Sequence, residues 1–281
     1  MEDCREQLSR GSEAFVLSCS ANIVSAGAAR TPEMAGLVLY DAPILGISRT
    51  DDPLFDRLKD SGVVGPHAIS PDEWLPGARS VVSFFLPYSE RVRASNRSNY
   101  DWPSVEWTHG RIEGHEMVIT LARYIIGFFE KRGARAMMPT LDARFGPRFH
   151  FERETAVNPP PRYNSRWSER HIAYISGLGT FGLSRGLITR CGMAGRLGSV
   201  ITDMALEPDS RSYVDIYEYC NRCGICAKHC PVNAISLETG KSHPPCSDFL
   251  SAVLEKEGEP YYGCGKCQVG VPCEARIPKR V

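Results

Sequence analysis

The sequence predicts a core that mixes α-helices and β-strands, of the α+β or α/β class, followed by a smaller cysteine-rich module. Segments with helical periodicity alternate with short apolar runs that are typical of strands. The 281 residues suffice for one large domain with a small one attached. Eight of the eleven cysteines lie in the last quarter of the chain. We therefore expect domains over residues 1–214 and 215–281.

The first half of the chain is expected to form two helices and two strands. Apolar residues at helical spacing predict the helices, short apolar runs predict the strands, and Gly133 is a typical helix end. The expected elements are a helix up to about residue 27, a strand at 37–40, a buried strand at 80–86, a long loop at 88–109 and a helix at 111–132.

The stretch before the cysteines is expected to hold a short helix among short strands. Ser168 is a good N-cap, and Glu169 is favourable in the first turn that follows it. That helix should end at Gly177. The strands are expected at 136–138, 187–189 and 199–206, and the Pro-rich residues 158–163 should be irregular.

The charge balance excludes some classes of function. Lys and Arg total 33, as do Asp and Glu, so the formal net charge is zero and no basic field favours a nucleic-acid partner. No apolar run is long enough to span a membrane, and the first residues show neither a secretory signal nor a twin-arginine pair. We expect a cytoplasmic protein, in which thiols stay reduced and disulfides are not the explanation for the cysteines.

Residues 220–231 carry the most specific motif, C-x2-C-x2-C-x3-C-P. In bacterial ferredoxins, the first three thiolates of this pattern bind one [4Fe–4S] cluster and the fourth binds the other. Four further cysteines follow, so eight thiolates fill two four-ligand sites. The predicted first cysteine group is Cys220, Cys223, Cys226 and Cys273. The predicted second cysteine group is Cys230, Cys246, Cys264 and Cys267.

Several alternatives accompany this assignment. Zinc also binds four cysteines, although it seldom takes three ligands from one tight loop. The scattered Cys4, Cys19 and Cys191 are expected to be ordinary thiols. Three cations stand among the predicted ligands, and they either raise cluster potentials or receive an acidic donor protein: Arg222, Lys228 and Lys266.

The segment from Gly177 to Gly182 reads G-x-G-x-x-G. A dinucleotide fingerprint follows a strand and opens a helix, whereas this segment follows a predicted helix and precedes a strand, so a nicotinamide site is rejected. Clustered glycines indicate a close approach of backbone to a neighbour. We expect a flat cofactor there, and a tightly packed turn is the alternative.

Together these motifs resemble a known family. Glu169-Arg170, the glycine segment, Gly198-Ser199 with Ile201-Thr202-Asp203 and the double-cluster cysteines resemble epoxyqueuosine reductase, and they are similar to the corrinoid reductive dehalogenases. The resemblance covers roughly residues 37–273. It implies a nitroreductase-like core holding base-off cobalamin. The implied cofactor-binding residues are Gly177, Leu178, Gly179, Thr180, Gly182, Ser199 and Thr202.

The resemblance also implies a chemistry. Reduced ferredoxin or flavodoxin would supply electrons, the clusters would reduce cobalt to Co(I), and a small organic substrate would be reduced above the corrin ring. Epoxyqueuosine reductases place an acidic proton donor six residues before the Glu-Arg pair, where this chain has Tyr163, a choice that resembles the reductive dehalogenases. A phenol can also donate a proton, and Arg162 or Arg166 would stabilise the phenolate. The alternatives are a Tyr163 that only packs, and Asp142 as donor.

Two further expectations concern the substrate and the rival functions. Epoxyqueuosine reductases usually continue into a tRNA-holding region after the clusters, whereas this chain stops eight residues after Cys273, so a tRNA substrate is not expected. An exported dehalogenase is not expected either. The rival functions are an electron-transfer protein that reduces the corrinoid of a partner, and a reductase with flavin in place of cobalamin. The sequence makes no prediction of oligomeric state.

Overall fold

The computed structural model describes residues 4–145 and 165–279. The helices in these ranges are α1 (Cys4–Ser18), α2 (Leu54–Arg57), α3 (Pro71–Trp74), α4 (Glu90–Arg97), α5 (Val105–Glu130), α6 (Glu169–Ile175), α7 (Ile225–Lys228) and α8 (His243–Glu257). The strands are β1 (Ile44–Arg49), β2 (Ser80–Pro87), β3 (Ala136–Met137), β4 (Gly179–Phe181), β5 (Leu187–Thr189), β6 (Gly195–Thr202), β7 (Ile235–Ser236) and β8 (Gly240–Lys241).

A four-stranded sheet with the order β1-β2-β6-β3 forms the centre of the core. Every pairing in this sheet is antiparallel, and β2 runs beside β6 from the pair Ser80 and Thr202 to the pair Pro87 and Gly195. An antiparallel sheet with helices on its faces is an α+β arrangement. Of the two predicted fold classes, the structure therefore selects α+β.

Strand β2 is buried along its whole length because both faces of the sheet are covered. Val82, Phe84 and Leu86 pack against α1 and α5. Val81 packs on the opposite face, against α6 and the buried Trp167. A strand that is covered on both faces needs mostly apolar side chains on both sides. The prediction of a buried strand at 80–86 is confirmed.

The predicted loop at 88–109 is wrong, since α4 and the first turn of α5 occupy much of it. Both helices begin at a serine whose Oγ accepts a backbone hydrogen bond, Ser89 from the amide of Val92 at 3.5 Å and Ser104 from that of Trp107 at 3.2 Å. The buried residues of α4 are Val92 and the polar Asn96. Because α4 buries a single apolar residue, its sequence shows no helical repeat of apolar residues, and the helix was not predicted.

Three other boundaries differ from expectation. Helix α1 ends at Ser18, before the predicted residue 27. Residues 37–40 make isolated bridges, Val38 to Ile23 and Tyr40 to Tyr88, and the edge strand is β1 instead. The strand predicted at 199–206 begins earlier, at Gly195, because Gly195 and Gly198 admit the rings of Phe85 and Phe84 close to the backbone. The strand at 187–189 is confirmed.

The cysteine-rich segment is bonded directly to the core. The amide of Met193 donates to the carbonyls of Cys273 and Glu274, at 3.0 Å each. Helix α8 is held to the core through Glu257, which accepts from the indole of Trp102, just before α5, at 2.6 Å and from Arg30 at 2.6 Å. The two regions therefore share an extensive contact, and the predicted boundary at 214/215 stays a prediction.

Within the described ranges, no helix combines the length and the apolar character that a membrane crossing needs.

Candidate functional site

The four thiols of the first cysteine group line a single small recess. The opposite wall comes from the β4–β5 hairpin, which contributes Leu183 and Ile188. Gly224 in the loop has a φ of +73°, which suits glycine and lets the chain turn sharply between ligands. Cys223 is exposed while Cys226 is buried. Four thiols around one space are the donor set that a [4Fe–4S] cluster needs.

The thiols of the first group influence each other electrostatically. Burial raises the pKa of Cys273 to about 12, and the next largest contributions come from Cys220, Cys226 and Cys223. Burial likewise raises the pKa of Cys226 to about 12. A bound metal would reverse this effect, because coordination deprotonates a thiol.

The members of the second cysteine group are also close neighbours. Burial raises the pKa of Cys264 to about 12, and Cys267 and Cys246 add to the rise. Burial raises the pKa of Cys267, with Cys246 and Cys230 among the charges that act on it. Cys267 of the second group also acts on Cys226 of the first, so the eight thiols lie close together, and their division into two groups and their ligation stay predictions. In the described ranges, no three His, Cys, Asp or Glu side chains are arranged around a single metal ion.

Cations surround the second group. Lys241 and Arg170 both act on Cys267 and Cys246, and Lys241 also hydrogen-bonds to Cys246. Lys266, between Cys264 and Cys267, is completely buried, and burial lowers its pKa to about 8.

The loop that carries Lys266 lies directly against α5. Gly265 has a φ of +67°, and a β-carbon there would overlap the indole of Trp107. The close contact between the Trp107 indole and the backbone of Gly265 thus fixes the position of this cysteine loop.

Arginines lie beside the second cysteine group. Burial lowers the pKa of Arg170, and the charges of Cys267, Arg196 and Cys246 also act on it. Arg196 donates to the carbonyl of Arg111 at 3.2 Å, and Arg111 donates to the Tyr262 hydroxyl at 2.5 Å. Burial and then Arg196 lower the pKa of Arg111 to about 10. Such guanidinium groups can bind an anion or stabilise negative charge that develops during a reaction.

Glu169 is a titratable group that the sequence interpretation used only as a motif anchor. Its carboxyl accepts from the Ser199 hydroxyl at 2.7 Å and from the Thr140 hydroxyl at 3.3 Å. Burial raises its pKa to about 7, so it can hold or release a proton near neutral pH. The sequence signal was its position beside Arg170.

The N-terminal turn of α6 differs from the prediction for Ser168. This residue occupies the N-cap position without a side-chain capping bond, because its hydroxyl pairs with His171 Nδ1 at 2.7 Å. Burial and then Arg170 lower the pKa of His171 to about 4, so its imidazole is neutral at pH 7.

The glycine segment forms a tightly packed hairpin. Strand β4 pairs with β5, and a β-carbon on Gly179 would overlap the carbonyl of Ile188. Thr180 is completely buried, and its hydroxyl oxygen accepts from the Tyr219 amide at 2.8 Å. The remaining predicted contacts in this segment, Gly177, Leu178 and Gly182, lie beside it.

The two predicted cofactor contacts on β6 are completely buried and have protein partners. Ser199 donates to Glu169 and accepts from the Trp167 indole at 2.8 Å. Thr202 donates to the carbonyl of Arg135 at 2.9 Å. The structure gives these hydroxyls a packing role, and their part in binding cobalamin stays a prediction.

The predicted proton donor Tyr163 and its neighbour Arg162 lie outside the described residues. Asp142, the alternative donor, is hydrogen-bonded by Arg144, which lowers its pKa to about 2. It is therefore a carboxylate at neutral pH and has no proton to give, which removes the basis for the alternative.

Comparison with known proteins agrees with this geometry. Residues 213–236 match the family model of the 4Fe-4S binding domain. Trichloroethene reductive dehalogenase of Dehalococcoides mccartyi is 38% identical over 79 residues, which are 28% of this chain and 14% of that protein. Tetrachloroethene reductive dehalogenase of Desulfitobacterium hafniense is 40% identical over 68 residues, or 24% of this chain and 12% of that one.

The fold resembles solved structures of two kinds of reductase. Epoxyqueuosine reductase from Bacillus subtilis superposes with a TM-score of 0.51 at 20% identity, over 84% of this chain and 62% of the other. A catabolic reductive dehalogenase in complex with 3-bromo-4-hydroxybenzoic acid gives a TM-score of 0.55 at 12% identity, over 84% of this chain and 30% of the other. The chain thus spans about an eighth to two thirds of the proteins that it matches.

Proposed function

We propose that this protein is a cobalamin-dependent iron–sulfur reductase that acts on a small organic molecule. The observation that carries the proposal is the presence of two four-thiol groups, the second of which lies beside Arg170. We propose that cofactor and substrate occupy a cleft on this side of the second group. The local similarity to reductive dehalogenases and the fold shared with epoxyqueuosine reductase support the same chemistry.

The residues present fit the implied groups. Eight thiols in two sets supply the ligands of two [4Fe–4S] clusters, and one set already encloses a common space. Beside the second group, Arg170, Arg196 and Arg111 offer cationic side chains to a large polar cofactor. When bound, the clusters supply single electrons, and cobalamin, with its lower base detached, supplies a strongly reducing cobalt centre.

The chain's own side chains have separate roles in this proposal. Tyr163, which is adjacent in sequence to the cleft-bordering helix α6, donates a proton to the substrate. Glu169 holds a proton nearby, since its carboxyl titrates near neutral pH. Arg196 and Arg111 hold an anionic group of the substrate or cofactor in the cleft.

The first cysteine group is the proposed point of electron arrival. Cys223 is exposed, and so are Arg222 and Lys228 beside it. A low-potential carrier with an acidic surface, such as reduced ferredoxin or flavodoxin, fits this side of the molecule. We propose that the protein works in the cytoplasm, where such carriers are reduced.

A small substrate is favoured over nucleic acid because the net charge is zero. One epoxyqueuosine reductase is solved with a tRNA stem loop, and this chain covers 65% of it. Binding of such a stem loop is therefore included in the test below.

The experiment begins with protein purified without oxygen and supplied with hydroxocobalamin. Iron, sulfide, cobalt and flavin are then measured together with reductive turnover of halogenated phenols. We expect about eight iron atoms, following from two four-iron clusters, and stoichiometric cobalt. Iron without cobalt or flavin would favour an electron-transfer protein that reduces the corrinoid of a partner. Bound flavin would favour a reductase with flavin in place of cobalamin. Bound zinc, or tight binding of the tRNA stem loop, would overturn the proposal.

Tyr163→Phe tests the proton donor separately. It should bind cobalamin normally and lose most turnover. Full turnover in this variant would remove Tyr163 from the mechanism.

A further inference from the structure

Lys266 is a buried cation whose ammonium is held by neutral acceptors. It lies between Cys264 and Cys267 and is completely buried. Its ammonium donates to the carbonyl oxygen of Asn96 at 2.9 Å and to the side-chain Oδ1 of Asn96 at 2.7 Å. Neither acceptor carries a formal charge. Among the residues that the structure describes, no carboxylate forms an ion pair with it, and Asp101 acts on it only from farther away.

The contact with Asn96 links this ammonium rigidly to the ligand loop. Asn96 Nδ2 donates back to the carbonyl of Cys264 at 3.0 Å, and its Oδ1 also accepts from the Ser104 amide at 3.0 Å. Both Oδ1 and Nδ2 of Asn96 are thus engaged, and the lysine cannot move away without breaking its two hydrogen bonds to Asn96. The positive charge is fixed beside the second cysteine group.

Lys228 provides a natural contrast. It too stands between two predicted ligands, Cys226 and Cys230, but it is exposed to solvent. Water and salt screen an exposed charge strongly and a buried charge weakly. Of the two lysines, the buried one therefore has the larger electrostatic influence on a nearby cluster.

Reduction of an iron–sulfur cluster adds one negative charge. A fixed cation nearby stabilises the reduced form more than the oxidised form, which raises the reduction potential. Lys241 and Arg170 lie near the second group as well, whereas the leading influences on Cys273 of the first group, after burial, are other thiols.

We propose that Lys266 is an electrostatic tuning residue that raises the reduction potential of the second cluster above that of the first. An electron delivered by a low-potential carrier then leaves the first cluster and rests on the second, beside the cleft. The carrier is oxidised by one electron and the second cluster is reduced by one, with no bond or proton transferred. This inference rests on the proposed function, since it needs both clusters.

The test is an anaerobic redox titration followed by electron paramagnetic resonance. In the unaltered protein, the cluster with the higher potential should be the second one. Assignment uses Cys223→Ser and Cys246→Ser, each of which alters the signal of its own cluster. Lys266→Gln should lower the potential of the second cluster and leave the first in place. Lys228→Gln is the matched control and should move neither by a comparable amount.

Unchanged potentials in Lys266→Gln, or an equal shift of both clusters, would overturn the inference. If Lys266→Gln does not accumulate, Asn96→Asp places a carboxylate against the ammonium and should lower the same potential; an unchanged second cluster in that variant is equally decisive. Unaltered protein that lacks two clusters would defeat the proposed function. Two clusters with unmoved potentials would defeat only this inference.

Discussion

The two cysteine groups have the same ligand chemistry and contrasting surroundings. The first opens to the surface, with Cys223 exposed and a recess around its thiols. The second lies against α4 and α5 and is accompanied by the cations Lys241, Lys266 and Arg170. In the proposed electron path, this difference would let one thiol group receive electrons and the other deliver them, because the surrounding charges and solvent differ.

The origin of this contrast is visible in the chain. Three ligands of the first group come from one tight loop, which needs few other contacts for its shape. The ligands of the second group come from separate segments around α7 and α8 and from the loop that packs on Trp107. Their assembly depends on the tertiary fold, and this is why they carry cations and polar bonds from the core.

Replacing one ligand in each group should give the largest effects. Cys246→Ser and Cys223→Ser are each expected to lose roughly half of the iron, because one of two four-iron clusters is disrupted. Cys246→Ser should lose turnover with every reductant, since the second cluster adjoins the cleft. Cys223→Ser should lose turnover with a protein donor and keep it with dithionite, a small reductant that can reach the second cluster directly. Iron analysis and steady-state rates check this, and equal behaviour of the two variants would contradict the contrast.

Glu274 anchors the first group, so its removal should come next in size. It is almost completely buried and accepts from the Gly270 amide at 2.6 Å and from Arg97. Glu274→Ala leaves these donors without their acceptor and should cost about 3–5 kcal/mol of unfolding free energy. Glu90→Ala, which removes the exposed partner of Arg97, should cost less than about 1 kcal/mol. Anaerobic thermal denaturation checks both, and equal losses would show that burial does not set the difference.

Glu169 should give a pH-dependent effect on the cleft side. Its pKa rises from 4.5 to about 7 on folding because it is buried. Between these values the folded protein holds more protons than the unfolded chain, so this carboxyl destabilises the fold increasingly as the pH rises from 4.5 to 7. Glu169→Gln removes the effect and should become more stable than the parent above pH 7, by at most about 3 kcal/mol.

Asp142→Asn is the matched control for the pH series. The pKa of Asp142 is lowered to about 2 by Arg144, so its stabilisation is present above pH 4 and disappears as the pH falls toward 2. Between pH 5 and 7.5 the stability difference for Asp142→Asn should be constant, while that for Glu169→Gln should grow. Thermal midpoints across this range decide the matter, and parallel curves would refute the assignment to Glu169.

Surface charges near the first group should give the smallest effect. Arg222 and Lys228 are exposed, and their replacement by Gln should slow reduction by an acidic carrier by roughly 2- to 5-fold at low salt. The difference should vanish at high ionic strength, and reduction by dithionite should not change. Stopped-flow reduction at several salt concentrations measures this, and a salt-independent loss would argue against docking at this surface.

The sequence predicted those parts of the molecule whose signal is local. The cysteine motif predicted eight ligands, which the structure brings close together, and the apolar run of β2 predicted a buried strand. Helix α4 was missed because one of its two buried residues is Asn96, a polar side chain that no hydrophobic pattern detects. Asn96 is buried because it bonds the ligand loop, a contact between residues 168 positions apart.

The burial and the pKa shifts of the charged groups could not be predicted from the sequence either, because they too depend on contacts between distant residues. Lys266 and Lys228 have equivalent positions among the cysteines, and only the packing of α4 makes one buried and the other exposed. The raised pKa of Glu169 comes from burial, which outweighs the lowering effect of its hydrogen bonds with Ser199 and Thr140. Spacing identifies ligands, whereas burial determines what the neighbouring charges do.

The contact of Trp107 with Gly265 gives the molecule an internal optical probe. An iron–sulfur cluster absorbs broadly in the near ultraviolet and visible range and accepts excitation energy from an indole at short range. Trp107 stands against the ligand loop of the second group, whereas Trp74 and Trp167 pack beside α6 in the core. Assembly of the second cluster should therefore extinguish the Trp107 emission, and Trp107→Phe should remove that signal. The progress of cluster insertion can then be followed by light alone.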